Sequence, residues 1–273
     1  TRINGRPAQI VNPTFAERGW RAYVWNNVPG WGAEDLAYRL ANGGYKVVLS
    51  PVTNYYFDLA WNPNPEEPGL DWGGFIDMRK PFEFIPFDYY RNARVDRGGN
   101  PLNPNVFVGK DRLSEYGQDN IVGIQGNLWS ETLGGEGRLD YMLVPKLFGL
   151  AERAWAPDPD WARERDATKA DSLFRDAWSR LVNVVGKREL PRLEREVAGL
   201  NYRIPTPGLR VSSGRVFTSV ELPGFTLRYT TDGSEPTAKS PAVTAPIPLR
   251  GTIRVAAFDG RGRKGSTATL AAA

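Results

Sequence analysis

The chain has 273 residues, 41% of them hydrophobic and 24% charged, with 35 basic against 31 acidic side chains and a net charge of +4. That is enough for one large domain, or for a large piece and a small second domain. It contains neither cysteine nor histidine, which excludes disulfides, thiolate chemistry, His-ligated zinc and a Ser-His-Asp triad.

Thr1-Arg2-Ile3-Asn4-Gly5 carries no methionine, basic cluster or apolar core of a signal peptide. The natural beginning is therefore expected to be missing. Ala22-Tyr23-Val24-Trp25 reads as a strand, followed by the turn Pro29-Gly30. Leu36, Leu40 and Ala41 share one face of a predicted helix over 33–42, stopped by Gly43-Gly44. Tyr45-Lys46-Val47-Val48-Leu49-Ser50 is the next strand. Strand, helix, strand with short connections predicts a parallel α/β unit.

A long excursion over 51–120, rich in Pro, Gly, Asn and aromatics, reads as functional rather than disordered. Ile121-Val122-Gly123-Ile124 opens a third strand ending near Trp129. One helix is predicted over 139–155, apolar nearly all round and hence buried. Another is predicted over 167–185, with Leu173, Phe174, Ala177, Trp178, Leu181 and Val185 as its stripe. From residue 201 short alternating runs take over, Thr226 to Thr231 and Ile253 to Phe258 among them. They predict a small β-sandwich. Three parallel-type strands are fewer than half of an eight-stranded barrel.

With histidine and cysteine absent, chemistry falls to carboxylates, Tyr, Trp, Lys or Arg. Nine tryptophans and eleven tyrosines offer faces that stack on apolar faces of ligands, sugars among them. Functional groups in α/β folds gather where strands end. Trp25 ends the first strand, Tyr55, Tyr56 and Asp58 follow the second, and Trp129 and Glu131 close the third. Trp72 lies in the long loop. Taken singly, each has an ordinary structural reading: core packing for a tryptophan, a loop cap for Asp58, the N-terminal charge of the next helix for Glu131. Their coincidence at three successive strand ends is what points to a site. Charges are interspersed, with Glu66, Glu67, Asp71 and Asp77 near Arg79 and Lys80, so nucleic acid is not an expected partner. No run reaches the roughly 18–20 apolar residues of a membrane span.

Ala22-Tyr23-Val24-Trp25-Asn26, Lys46-Val47-Val48-Leu49-Ser50-Pro51, Tyr56-Phe57-Asp58, Asp71-Trp72-Gly73, Leu128-Trp129-Ser130-Glu131 and Ala151-Glu152-Arg153-Ala154-Trp155 follow one another along the chain. In that order they resemble family 20 glycoside hydrolases, the β-N-acetylhexosaminidases, and their bacterial chitobiase branch in particular. The tail, with Arg228-Tyr229-Thr230-Thr231-Asp232-Gly233, resembles the C-terminal immunoglobulin-like domain of those enzymes. The resemblance implies a (β/α)8 barrel over 1–200, of which this chain carries the last strands, and a β-sandwich domain over 201–273. It implies hydrolysis of terminal N-acetylhexosamine without metal or cofactor. In that chemistry the substrate's acetamido oxygen attacks the anomeric carbon, an exception to the two-carboxylate scheme. By similarity, Tyr56 donates its hydroxyl to that oxygen. Trp25 and Trp129 wall the acetyl pocket, Trp72 stacks near the sugar, and Asp58 and Glu131 bind sugar hydroxyls.

The family's acid pair is an adjacent Asp-Glu in a His-x-Gly-Gly-Asp-Glu context, which this sequence lacks. Glu34-Asp35 is in the opposite order and falls within the predicted first helix. The chain is therefore expected to be the C-terminal part of a longer enzyme and inactive alone, with an N-acetylhexosamine oligosaccharide and the missing N-terminal part as its partners. Periplasmic or secreted residence follows only by family analogy. A non-catalytic carbohydrate-binding protein on an eroded hexosaminidase scaffold is the alternative. A tail acting as a separate sugar-binding module would rest on Phe225, Tyr229 and Phe258 alone.

Overall fold

The computed structural model describes residues 11–271 together with the backbone of 2–3 and 6–7, so the stretch Thr1 to Gly5 lies largely outside the described residues. Two compact units divide the chain, Thr1–Ala162 and Arg163–Ala273.

The first unit is organised around a parallel three-stranded sheet: β1 (Arg21–Val24), β2 (Lys46–Leu49) and β3 (Ile121–Ile124), with β2 central. Its β-branched run fits a strand covered on both faces, and Val47 and Leu49 are buried. Helix α1 (Leu36–Asn42) connects β1 to β2 and turns Ala37, Tyr38 and Ala41 into the core. Gly44, at φ +88°, ends it by donating its N–H to the Ala41 carbonyl, a backbone state glycine enters without strain.

Glu34 and Asp35 are not helical, contrary to the sequence reading; they occupy the turn ahead of α1. The physical reason is local. The buried Glu34 carboxylate accepts from the backbone N–H of Gly30 at 2.6 Å and Gly32 at 3.1 Å, an alternative to helical hydrogen bonding.

The excursion after β2 is ordered by short elements: α2 (Val52–Tyr55), α3 (Arg79–Glu83) and α4 (Glu115–Gln118). The expected single helix over 139–155 is two, α5 (Glu136–Leu143) and α6 (Lys146–Trp155). Pro145 divides them, lacking the N–H that an uninterrupted helix needs. Nor is the segment buried all round. Leu139, Leu147 and Trp155 are exposed, while Met142, Lys146, Gly149 and Arg153 are buried.

The second unit opens with α7 (Ala167–Val184), capped by the Asp166 carboxylate accepting from Lys169 N–H. A five-residue π-helical segment, Val185–Glu189, joins it to α8 (Leu190–Glu196). The strands that follow are β4 (Gly208–Ser212), β5 (Arg215–Ser219), β6 (Thr226–Thr230), β7 (Ile247–Pro248), β8 (Thr252–Phe258) and β9 (Lys264–Ala271). They form two antiparallel sheets, ordered β4-β5-β7 and β9-β8-β6. Val216 and Ile247 of one sheet share a core with Ile253 and Val255 of the other. Among the described residues no helix is long and apolar enough to cross a membrane.

Candidate active site

Each strand of the parallel sheet leads to one aromatic residue at a common point. The carbonyls of Val24 and Trp25 accept from the backbone N–H of Ser50 (3.0 Å) and Val52 (2.9 Å), which ties the end of β1 to the start of α2. One helical turn later the chain rejoins the sheet. Asn127 N–H donates to the Tyr55 carbonyl and Phe57 N–H to the Asn127 carbonyl, both at 2.7 Å, so Tyr56 and Asn127 form a parallel bridge beyond β3.

Gly126 is required here. A Cβ at that position would lie 2.7 Å from Cε2 of the buried Phe57 ring. Gly126→Ala is expected to lower stability by about 1–3 kcal/mol through overpacking, seen as a lower urea midpoint. A midpoint equal to wild type would show that Phe57 moves freely.

The long loop supplies the fourth aromatic. It doubles back beside residues 58–60, with Leu70 N–H on the Asp58 carbonyl (3.1 Å), Ala60 N–H on the Leu70 carbonyl (2.7 Å) and Ile76 N–H on the Ala60 carbonyl (2.9 Å). The turn from Asp71 to Gly74 then carries Trp72 over the sheet end. Tyr56 ends up among three indoles, with ring centroids 6.3 Å from Trp25, 5.9 Å from Trp72 and 6.2 Å from Trp129. Trp72 meets Trp25 edge to face at 6.0 Å.

Asp58 is buried beneath this cluster and accepts from Trp129 N–H at 3.3 Å. Burial raises the Asp58 carboxyl above its ordinary range; the Trp129 N–H and the Lys146 ammonium oppose that shift, and Glu131 adds to it. Glu131 thus faces Asp58 from an exposed turn, not from a helix N-terminus: α5 begins only at Glu136. Burial also pushes the Tyr56 phenol up, against the Trp129 indole, which donates to it. The phenol therefore stays protonated at neutral pH and remains a donor.

The structure brings Trp25, Tyr56, Trp72 and Trp129 into one cluster, with Asp58 behind it and Glu131 beside Asp58. Two participants escaped the sequence reading. Trp31 stacks against Trp72 at 6.2 Å and 20°. Lys146, fully buried at the start of α6, donates to the carbonyls of Phe57 (2.9 Å) and Leu59 (2.7 Å). A lone lysine inside the apolar run from Met142 to Leu150 was the available signal, because a charge there is retained only with partners. Among the described residues no group of three or more carboxylates is placed to hold a metal ion.

This arrangement offers one protonated phenol, an aromatic wall, one buried carboxylate and one exposed carboxylate. The family model described as "Glycosyl hydrolase family 20, catalytic domain" matches residues 9–158, and the chain belongs to that family. The model described as "Chitobiase/beta-hexosaminidase C-terminal domain" matches residues 189–268. Among individual proteins, the chain is 34% identical to the N,N'-diacetylchitobiase of Vibrio harveyi over 232 residues, which is 80% of this chain and 25% of that protein. It is 31% identical to a beta-hexosaminidase of Vibrio vulnificus over 78% of this chain and 26% of that protein. It therefore spans about a quarter of the length of the curated relatives it matches. A solved family 20 exo beta-N-acetylglucosaminidase from Vibrio harveyi, in complex with N-acetylglucosamine, is 26% identical at a TM-score of 0.41, over 67% of this chain and 22% of that one.

Proposed function

We propose that this chain forms the acetamido-binding side of a β-N-acetylhexosaminidase that hydrolyses terminal non-reducing N-acetylhexosamine from chitin-type or related glycans. The observation that carries the reading is the single phenol enclosed by three indoles, Tyr56 among Trp25, Trp72 and Trp129.

The chemistry assigned is retaining and substrate-assisted. The acetamido oxygen attacks the anomeric carbon, the glycosidic bond breaks, and a protonated carboxyl gives its proton to the leaving oxygen. Tyr56 donates a hydrogen bond to the acetamido oxygen as its charge changes, a role suited to a protonated, preorganised donor. Trp25 and Trp129 confine the acetyl group to attack geometry and exclude water. Asp58 and Glu131 accept from sugar hydroxyls.

The general acid and the aspartate that orients the acetamido nitrogen are assigned outside these 273 residues, because no adjacent Asp-Glu occurs in them. The sheet supports the same reading. Among the described residues β1 and β3 are the outer strands of a three-stranded sheet, whereas a (β/α)8 barrel closes eight strands on themselves. The two-sheet tail is read as an immunoglobulin-like domain.

The isolated chain is expected to bind N-acetylglucosamine, seen as a change in tryptophan fluorescence, and to leave a chromogenic N-acetylglucosaminide intact. Turnover by the isolated chain would refute the placement of the acid. The absence of an Asp-Glu strand end from the natural gene product would leave the carbohydrate-binding protein in its place.

A further inference from the structure

We infer that Trp31, held in place by a buried Glu34–Lys110 pair, is a second stacking surface that extends the site from one sugar ring to a longer oligosaccharide. The inference rests on the carbohydrate reading of the Tyr56 cluster and adds to it a residue that selects substrate length.

Trp31 is 48% exposed although it touches Trp72. At a centroid separation of 6.2 Å and an interplanar angle of 20°, the two rings are offset rather than eclipsed. The exposed indole therefore stacks on the same Trp72 ring that meets Tyr56 edge to face at 5.9 Å and 86°, and extends the aromatic surface of the cluster. An exposed tryptophan in a glycine-flanked loop would ordinarily lose its position in water. This one is fixed by an unusual amount of structure.

Gly30 and Gly32, at φ +88° and +89°, flank Trp31 in a backbone conformation other residues rarely adopt. Their N–H groups both converge on Oε1 of Glu34, and Oε2 pairs with Lys110 Nζ at 2.5 Å. Trp31 N–H closes the turn on the Val28 carbonyl at 3.1 Å. Tyr89 Oη donates to the Glu34 carbonyl at 2.5 Å, and Asp35 pairs with Arg39 at 3.3 Å. Burial opposes the Glu34 charge, but the Lys110 ammonium and the backbone N–H groups of Glu34 and Gly32 outweigh it and hold the carboxyl below its usual range. A carboxylate buried to 1% exposure is costly unless every part of it is engaged. Here all of its partners serve the loop that presents Trp31. A side chain held in advance loses little entropy when a ligand arrives. Glu34 is thus a positioning residue and Trp31 the contact.

The test is titration of the 273-residue chain with N-acetylglucosamine and with its β-1,4-linked trimer, followed by calorimetry. Trp31→Ala is expected to weaken trimer binding about fivefold to tenfold and to lower the trimer-to-monomer affinity ratio by that factor. Glu34→Gln is expected to lower the same ratio less, and Lys110→Met provides a second route to the same loss if Glu34→Gln does not fold. An unchanged ratio in Trp31→Ala, or an equal loss of monomer and trimer, overturns the inference and leaves the Tyr56 site standing. Failure of the wild-type chain to bind either sugar overturns both.

Discussion

On the proposed function, replacing Tyr56 by phenylalanine is expected to lower the turnover number of the full-length enzyme by about 10²–10³-fold, the usual cost of one preorganised donor to a developing charge, and to change KM far less. Phenylalanine keeps the ring among Trp25, Trp72 and Trp129 and removes only the hydroxyl, so near-UV circular dichroism and the urea midpoint stay close to wild type. The effect falls on kcat because the hydrogen bond strengthens as the acetamido oxygen attacks and takes on charge, and an interaction made more strongly in the transition state than in the ground state governs rate. Asp58→Asn serves as the contrast. In the proposed site its carboxylate meets hydroxyls in both states, so its loss is expected to raise KM. A Tyr56→Phe enzyme with wild-type kcat would remove the phenol from the chemistry and leave it as pocket wall.

Much of this site could be read before its geometry was known, and the reason is topological. In parallel sheets the chain leaves each strand at the same end, so aromatic and acidic residues placed just after apolar runs are carried to one place. Trp25, Tyr56 and Trp129 followed that rule. Trp72 followed it through a loop whose return path depends on backbone pairing with residues 58–60, which no side-chain pattern announces. What escaped the sequence was set by long-range partners. Glu34 and Asp35 carry good helix spacing, yet the glycine N–H groups and Lys110 hold Glu34 in a turn. The spacing of residues 139–155 was helical across Pro145, and only the chain's division into α5 and α6 places Lys146 at a helix start facing inward. In the tail, the Asp232-Gly233 pair that follows β6 reads as a hairpin turn, yet Asp232 forms a bridge to Thr252. The Asp232 carboxylate accepts from Ser234 N–H at 3.0 Å and the chain returns beside β6 only at residues 241–243, where Arg228 bridges Ala242, so no tight hairpin forms.

Lys146→Met is expected to cost about 3–5 kcal/mol of stability, the range for stripping one partner from a buried charged contact. Methionine refills the stem's volume but donates nothing, so the Phe57 and Leu59 carbonyls lose the ammonium that meets them at 2.9 and 2.7 Å. The contact with the Trp61 ring, 4.5 Å from Nζ, loses its charge as well. These carbonyls bracket Asp58, which gives the substitution a pH signature that a merely packed lysine would not produce. Asp58 is already raised by burial, and Lys146 is one of the groups opposing the rise; without the ammonium the carboxyl rises further. An aspartate raised in the folded state favours folding while it is protonated, and that contribution is lost as pH climbs through the folded value. The deficit of Lys146→Met against wild type is therefore smallest in acid and widens toward neutrality, as urea midpoints at a series of pH values would show. Sugar binding moves with it. In the proposed site ionised Asp58 is the acceptor for a hydroxyl, so affinity is expected to fall as pH drops through its raised pKa, and in Lys146→Met that acid limb is expected to shift to higher pH. A stability deficit independent of pH, with the acid limb of binding unmoved, would reduce Lys146 to a donor for two carbonyls with no hold on the charge of Asp58.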